Sequence, residues 1–277
     1  MFLERFKLTE AEKAQPYAKY FYKDIAPFDP EAMAKMDRPI DPALALPIER
    51  INDLLNPGYL DCEAGWCIMP DGSGFIANLT QWPGVTVDMI KWWFAWHALG
   101  DNLRYKIWFP KGHFAISVSE EDRKRALDPN TDLDHKLWGM THHVVEACDG
   151  PTENIYINFL APEQMGFDMS RFHSPNVACV CGGFGVSQMI NPPLGAPSFK
   201  GSAAMVHFFR EVPGGLEQRT RFWMGKKFLN GQPIHTLPGG VKLPPFVPMC
   251  LAKHNVKEFA NLKSFLPQIY AEMGGKF

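Results

Sequence analysis

A succession of short apolar runs separated by glycine- and proline-rich turns constrains this chain more than any other feature. Runs at 65–69 and 74–79 flank the turn Pro70-Asp-Gly, and further runs follow at 104–109, 113–118, 138–147, 154–159, 176–181, 203–212 and 216–224. Their length, their β-branched and aromatic content and turns such as Pro213-Gly-Gly read as strands. Strands follow one another without a regular strand–helix alternation, so the expected sheet is antiparallel and curved rather than parallel. The runs on either side of Pro110-Lys-Gly are read as a hairpin.

Two segments carry a different period. Residues 88–99 are apolar almost all round, follow Thr86 as N-cap and stop at Gly100, which describes a buried helix. From about Lys253, apolar residues recur at Val256, Phe259, Leu262, Phe265 and Leu266, the spacing of a helix laid against a core. That helix is expected to close the sheet, and Pro267 to kink or restart it, since proline cannot continue the hydrogen-bond ladder. The fold class is therefore α+β. Residues 1–50 hold several prolines and short amphipathic pieces, such as 30–36 with Asp29 as cap and Pro30 at the first helical position. They read as an extension that packs on the main domain, residues 51–277, or on a second subunit.

Composition excludes several classes. With 28 basic against 30 acidic residues and no block of like charge, nothing points to a nucleic-acid or anionic-membrane partner. Charges interrupt each apolar run of the first ten residues, which argues against a secretory segment, and no later run approaches the length of a membrane span. The chain reads as cytoplasmic. Its six cysteines then read as free thiols, Cys62, Cys67, Cys179 and Cys181 as core residues, because neither C-x-C nor C-x4-C has zinc-ribbon spacing.

The polar exceptions on apolar elements carry the chemistry. His254 and Glu258 stand four apart, so a helix projects both from one face, where an imidazole nitrogen and a carboxylate oxygen can share a divalent metal. A solvated surface pair is the commoner meaning of that spacing. In 138–147, period two puts His142, Val144 and Glu146 on one face and His143 on the other; in 203–212, Met205, His207 and Phe209 share a face. His113 opens a strand at the rim of the sheet, and His97 near the end of the tryptophan-rich helix competes with it as a further ligand.

In this order, Trp92-Trp-Phe-Ala-Trp-His, Arg104-Tyr-Lys-Ile-Trp-Phe-Pro with His113, His142-His-Val-Val-Glu, Asn158-Phe-Leu-Ala-Pro with Gly166-Phe-Asp, and His254-Asn-Val-Lys-Glu resemble the diacetylphloroglucinol and phloretin hydrolases. The resemblance spans roughly residues 50 to 270. It implies a Bet v 1-like (START-like) fold, a curved sheet wrapped around a long C-terminal helix, and an N-terminal region used in dimer contacts. It also implies a Zn2+ site of two histidines and two glutamates. Carried over, these are His254, Glu258, His113 as the histidine eight residues after Tyr105, and Glu146, with Glu153 as the alternative. The implied reaction cleaves an aryl–acyl carbon–carbon bond of an acylated polyphenol with water, as a homodimer. Tyr105 would then bind a ring hydroxyl, and His207 or His142 would move the proton that the ring carbon needs.

Two other classes remain beside it. The same fold serves as a metal-free carrier of apolar small molecules. A different zinc hydrolase is disfavoured, because no H-E-x-x-H is present and Gly185-Val-Ser-Gln-Met lacks the closing glycine of a nucleophile elbow.

Overall fold

The computed structural model describes residues 7–173, 177–191 and 200–277. The charged start, residues 1–6, and Asn176, read as the first residue of a strand, lie outside the described residues. The main sheet contains β1 (Gly65–Ile68), β2 (Gly74–Pro83), β3 (His113–Ser117), β4 (Thr141–Ala147), β5 (Thr152–Phe159), β6 (Cys179–Met189), β7 (Gly201–Val212) and β8 (Gly215–Met224). Their order is β1-β2-β8-β7-β6-β5-β4-β3, and every neighbouring pair is antiparallel. Strands β3 to β8 form a meander, and the hairpin β1–β2 lies beside its last strand. A separate ribbon, β9 (Lys226–Leu229) with β10 (Gln232–His235), follows.

Three short helices, α1 (Glu10–Lys13), α2 (Lys19–Tyr22) and α3 (Pro30–Ala34), precede the sheet. As the sequence suggests, Asp29 caps α3 by accepting from Glu31 N at 2.9 Å. These pieces pack on the body of the chain: the Tyr20 ring lies 5.2 Å from Phe265, and Lys106 Nζ reaches Glu12 Oε1 at 2.6 Å. The crossing from β2 to β3 runs through α4 (Val87–Leu99), whose Thr86 cap and Gly100 stop are as expected, and α5 (Leu103–Lys106). Two further helices, α6 (Glu120–Leu127) and α7 (Leu133–Leu137), lie between β3 and β4, and α8 (Phe246–Lys263) with α9 (Leu266–Met273) ends the chain.

The sheet curls around α8. From β2, Asn78 Nδ2 donates to Ala252 O at 3.2 Å and Asn255 Oδ1 at 2.9 Å, while His113, on the far edge strand, meets His254 of the same helix. One helix can touch strands so far apart in the order only if the sheet bends over it. A register shift between His113 and Ala115 and the glycine at 183 serve this bend. Gly183 has φ +151°, and a Cβ there would sit 1.9 Å from Asn158 O.

Two cores result. The concave face joins α4, α8 and α9 through Trp82, Trp93, Phe209, Phe259, Leu262 and Ile269; the convex face carries Phe75, Trp223 and Phe208 under Ile51 and Leu54. All six cysteines are free, with Cys62, Cys67, Cys179 and Cys181 buried. Among the described residues, no helix is long and apolar enough to cross a membrane.

Three sequence expectations are corrected. Residues 104–109 are not a strand: Asp101 Oδ1 accepts from Leu103 N at 3.1 Å and Asn102 O from Lys106 N at 3.0 Å, starting the short helix α5. Its aromatic alternation misleads because every side of this turn is buried. Helix α8 starts at Phe246, seven residues before Lys253. Pro245 and Pro248 occupy its cap and first turn, where an amide N–H has no partner to lose. Strand β4 starts at Thr141 rather than Trp138, because Gly139 turns the chain at φ +79°. The restart at Pro267 is as expected, in the first turn of α9.

Candidate metal centre

Strand β3 begins at His113 directly after Gly112, where a Cβ would come within 3.0 Å of His254 Cε1 and 2.8 Å of Ala147 O. A bare backbone there lets α8 approach the strand edge. His113 Nε2 then lies 3.3 Å from His254 Nε2 and 3.5 Å from Glu258 Oε2, and His254 Nε2 lies 3.7 Å from the same oxygen. From β4, Glu146 Oε2 comes within 3.9 Å of His113 Nε2. The ligand atoms of His113, His254 and Glu258 all lie within 4.8 Å of one another, and those of Glu146, Cys148 and His254 form a second such group that shares His254. Cys148 stands beside them, its thiol donating to Glu146 Oε1 at 3.6 Å.

The cluster is buried and lacks a cation of its own: among the described residues, no lysine or arginine lines it or the cavity it opens on. Burial holds His113 and His254 down to about 4, against the opposing charges of Glu146 and Glu258 respectively. Both rings are neutral at physiological pH. Burial pushes Glu258 up to about 7, with Glu146 adding to the shift and His254 opposing it. Among the described residues, both Nδ1 atoms are buried without a hydrogen-bond partner. Two neutral imidazoles whose Nε2 atoms face each other, flanked by carboxylates, form a donor set that fits a divalent cation of the zinc type.

Neighbouring side chains orient these donors. Asn255 Nδ2 donates to Glu258 Oε1 at 3.0 Å, which leaves Oε2 to the cluster, and Asn78 in turn holds Asn255. Tyr105, on α5, stacks on His113 with ring centroids 4.1 Å apart and 5° between planes, and its hydroxyl donates to Glu146 Oε2. Burial first, then the Glu146 charge, keeps that phenol protonated well above its ordinary range. Sequence reasoning missed Asn78, Asn255 and Cys148. Only Asn255, three residues before Glu258 on one helix, carried a readable signal.

The cavity beyond is apolar, lined by Phe94, Trp108, Ile157, Phe159, Met205 and Phe222. His142 and His207 also line it. His142 has Nε2 3.1 Å from Met140 Sδ, and His207 Nδ1 lies 3.1 Å from both Thr220 Oγ1 and Gln218 Nε2. Burial lowers both imidazoles, His207 to about 3. His97 is on the cavity wall rather than in the cluster, its Nδ1–H donating to Trp93 O at 2.7 Å. Glu153 pairs in register with Glu146 on β5, outside the converging donors, and burial together with Glu146 raises its carboxyl.

This chain, which places its buried His/Glu cluster on an aromatic cavity, belongs to a hydrolase family, the one described as the DAPG hydrolase PhiG domain, whose model matches residues 46–271. Phloretin hydrolase of Eubacterium ramulus is 34% identical over 269 residues, covering 96% of this chain and 93% of that protein. A 2,4-diacetylphloroglucinol hydrolase of a Pseudomonas species is 27% identical, over 95% of this chain and 90% of its own. Among solved structures, that of Ara h 8.0201 aligns with a TM-score of 0.39 at 15% identity, over 71% of this chain and 99% of its own.

Proposed function

We propose that this protein is a zinc-dependent hydrolase that cleaves the aryl–acyl carbon–carbon bond of an acylphloroglucinol-type polyphenol. Water adds to the acyl carbon and a proton to the ring carbon, giving the deacylated phenol and a carboxylic acid. The observation that carries this reading is the grouping of His254 with His113 and Glu258, and of Glu146 with His254, on an apolar cavity that no described lysine or arginine lines. Family membership and the names of the relatives supply the chemistry.

His113, Glu146, His254 and Glu258 would hold Zn2+, which supplies Lewis acidity toward the acyl oxygen or an adjacent ring oxygen. The aromatic walls bind the ring and exclude water from it. Tyr105 holds Glu146 and, through stacking, His113 in place, and its edge of the cavity is where a ring hydroxyl would bind. His207 and His142 stay neutral because burial disfavours their charged forms, so they serve as hydrogen-bond partners of ring oxygens. Such a partner favours the keto tautomer, in which the ring carbon is already protonated. The same reading takes the enzyme as a cytoplasmic homodimer with residues 1–50 at the dimer contact and 51–277 as the catalytic domain.

The test is an assay of the purified protein on phloretin and on 2,4-diacetylphloroglucinol, with products separated by chromatography. Stoichiometric release of the deacylated ring and the matching acid is expected from at least one of them. Ligand binding without turnover of either, in zinc-loaded protein, would instead assign a carrier.

A further inference from the structure

His207 projects from β7 into a ring of aromatics, 5.0 Å from Phe259, 5.6 Å from Phe94 and 5.8 Å from Phe222 between centroids. Behind it on β8 stand Thr220, its register partner, and Gln218, both with no exposed surface. A third residue sets the sense of the whole group. The Trp82 indole N–H can only donate, and it does so to Gln218 Oε1 at 2.9 Å. This fixes which end of the Gln218 amide is nitrogen. That nitrogen lies 2.8 Å from Thr220 Oγ1 and 3.1 Å from His207 Nδ1, and it can only donate to them. Thr220 Oγ1 lies 3.1 Å from His207 Nδ1, accepts from Gln218 and has its own hydroxyl proton to give to that nitrogen. Facing an amide N–H that can only donate, Nδ1 accepts, so the neutral ring carries its proton on Nε2.

We propose that Gln218, anchored by Trp82, is a positioning residue that locks His207 in the Nε2–H tautomer, as a hydrogen-bond donor to a ligand oxygen in the cavity. Among the described residues, no protein atom takes up that Nε2–H. His97 is fixed in the opposite sense, since its Nδ1–H donates to the Trp93 carbonyl and its Nε2 is left as an acceptor. Of these two cavity-lining rings, both packed against Phe94, His207 is thus the donor and His97 the acceptor. The consequence for turnover, donation to a ring or acyl oxygen of an acylphenol, rests on the hydrolase reading.

The experiment is long-range 15N–1H correlation of the full chain labelled with 15N-histidine and loaded with zinc, the His207→Gln spectrum assigning the His207 signals. The wild type should show a protonated Nε2 and a bare Nδ1 between pH 6 and 8, on the order of the physiological range. Gln218→Glu keeps an acceptor for Trp82 but places an acceptor against Nδ1, so the proton should move to Nδ1, and kcat should fall on the order of 10²-fold. Gln218→Met should give a mixture of tautomers. A wild-type ring protonated on Nδ1, or an unchanged nitrogen pattern in Gln218→Glu, overturns the proposal. The wild-type spectrum decides the tautomer even if neither variant folds. Expected spectra combined with no hydrolysis of any acylphloroglucinol would remove the substrate reading and leave the role of Gln218 standing.

Discussion

The two faces of the sheet each bury a carboxylate cluster, and the two solve the same electrostatic problem differently. On the convex face, Glu63 accepts from Arg219 Nη2 and Arg221 Nη2, both at 2.6 Å, and from Arg219 Nε at 3.1 Å. Burial pushes its carboxyl up, but the two guanidiniums outweigh this and hold it below the usual range. On the concave face, the described partners of Glu146 and Glu258 are uncharged, namely the two imidazoles, the Tyr105 hydroxyl, the Cys148 thiol and the Asn255 amide, and Glu258 rises to about 7. A buried charge persists when it is paired or bound to a metal. The convex carboxylate is charge-paired within the chain and serves structure. On the proposed reading the concave cluster is completed by a bound cation, and it opens on a cavity.

The contrast predicts opposite outcomes for matched substitutions. The largest effect is expected for Glu258→Gln, which removes a ligand: hydrolysis should fall by on the order of 10³-fold, while metal-free protein unfolds at the same or a higher temperature because an unpaired buried carboxylate is gone. Glu63→Gln should do the reverse. It strands two buried guanidiniums, so denaturant unfolding should show a loss of about 3–5 kcal/mol, with activity per folded molecule retained. Tyr105→Phe, which removes the hydrogen bond to Glu146, should cost about 10–100-fold in metal affinity or turnover, measured by competition with a chelator and by initial rates.

Acid should separate the two faces on the pH axis. Burial lowers His97, His113, His142, His207 and His254, so between pH 6.5 and about 4 these five groups bind more protons in the unfolded chain, which outweighs Glu258, whose raised carboxyl binds its proton first in the folded one. Stability of the metal-free protein therefore falls as pH drops through that window, by up to about 1.4 kcal/mol per pH unit for each histidine. Glu63, held below the usual carboxylate range by its two guanidiniums, contributes stability that is lost only as pH falls through and below that range. Thermal unfolding against pH should thus show Glu63→Gln below the wild type at neutral pH, with the two curves converging toward the acid end.

Much of this site was readable from one dimension. Period two placed His142 and Glu146 on the inner face of β4, and the four-residue step placed His254 above Glu258. Local periodicity suffices when the element is regular. It failed at α5, where burial on all sides erases the amphipathic signal, and at the start of α8, where prolines stop a helix only beyond its first turn. His97 and His113 were equivalent in sequence. What separates them is that the carbonyl of Trp93, one turn back on α4, already takes the His97 Nδ1–H, whereas the Nε2 of His113 meets a helix 141 residues away. Asn78 and Asn255 meet across 177 residues, and Trp82 meets Gln218 across 136, so the partners that orient the site leave no local trace.

The most direct measurement is the metal content of the purified chain by elemental analysis, for wild type and His254→Ala, after exposure of both to zinc. About one zinc per chain in the wild type, and loss of it in the variant together with hydrolysis, is the predicted result. A wild type that takes up no zinc, or a His254→Ala protein that retains it, would contradict the account of the concave cluster as a metal centre.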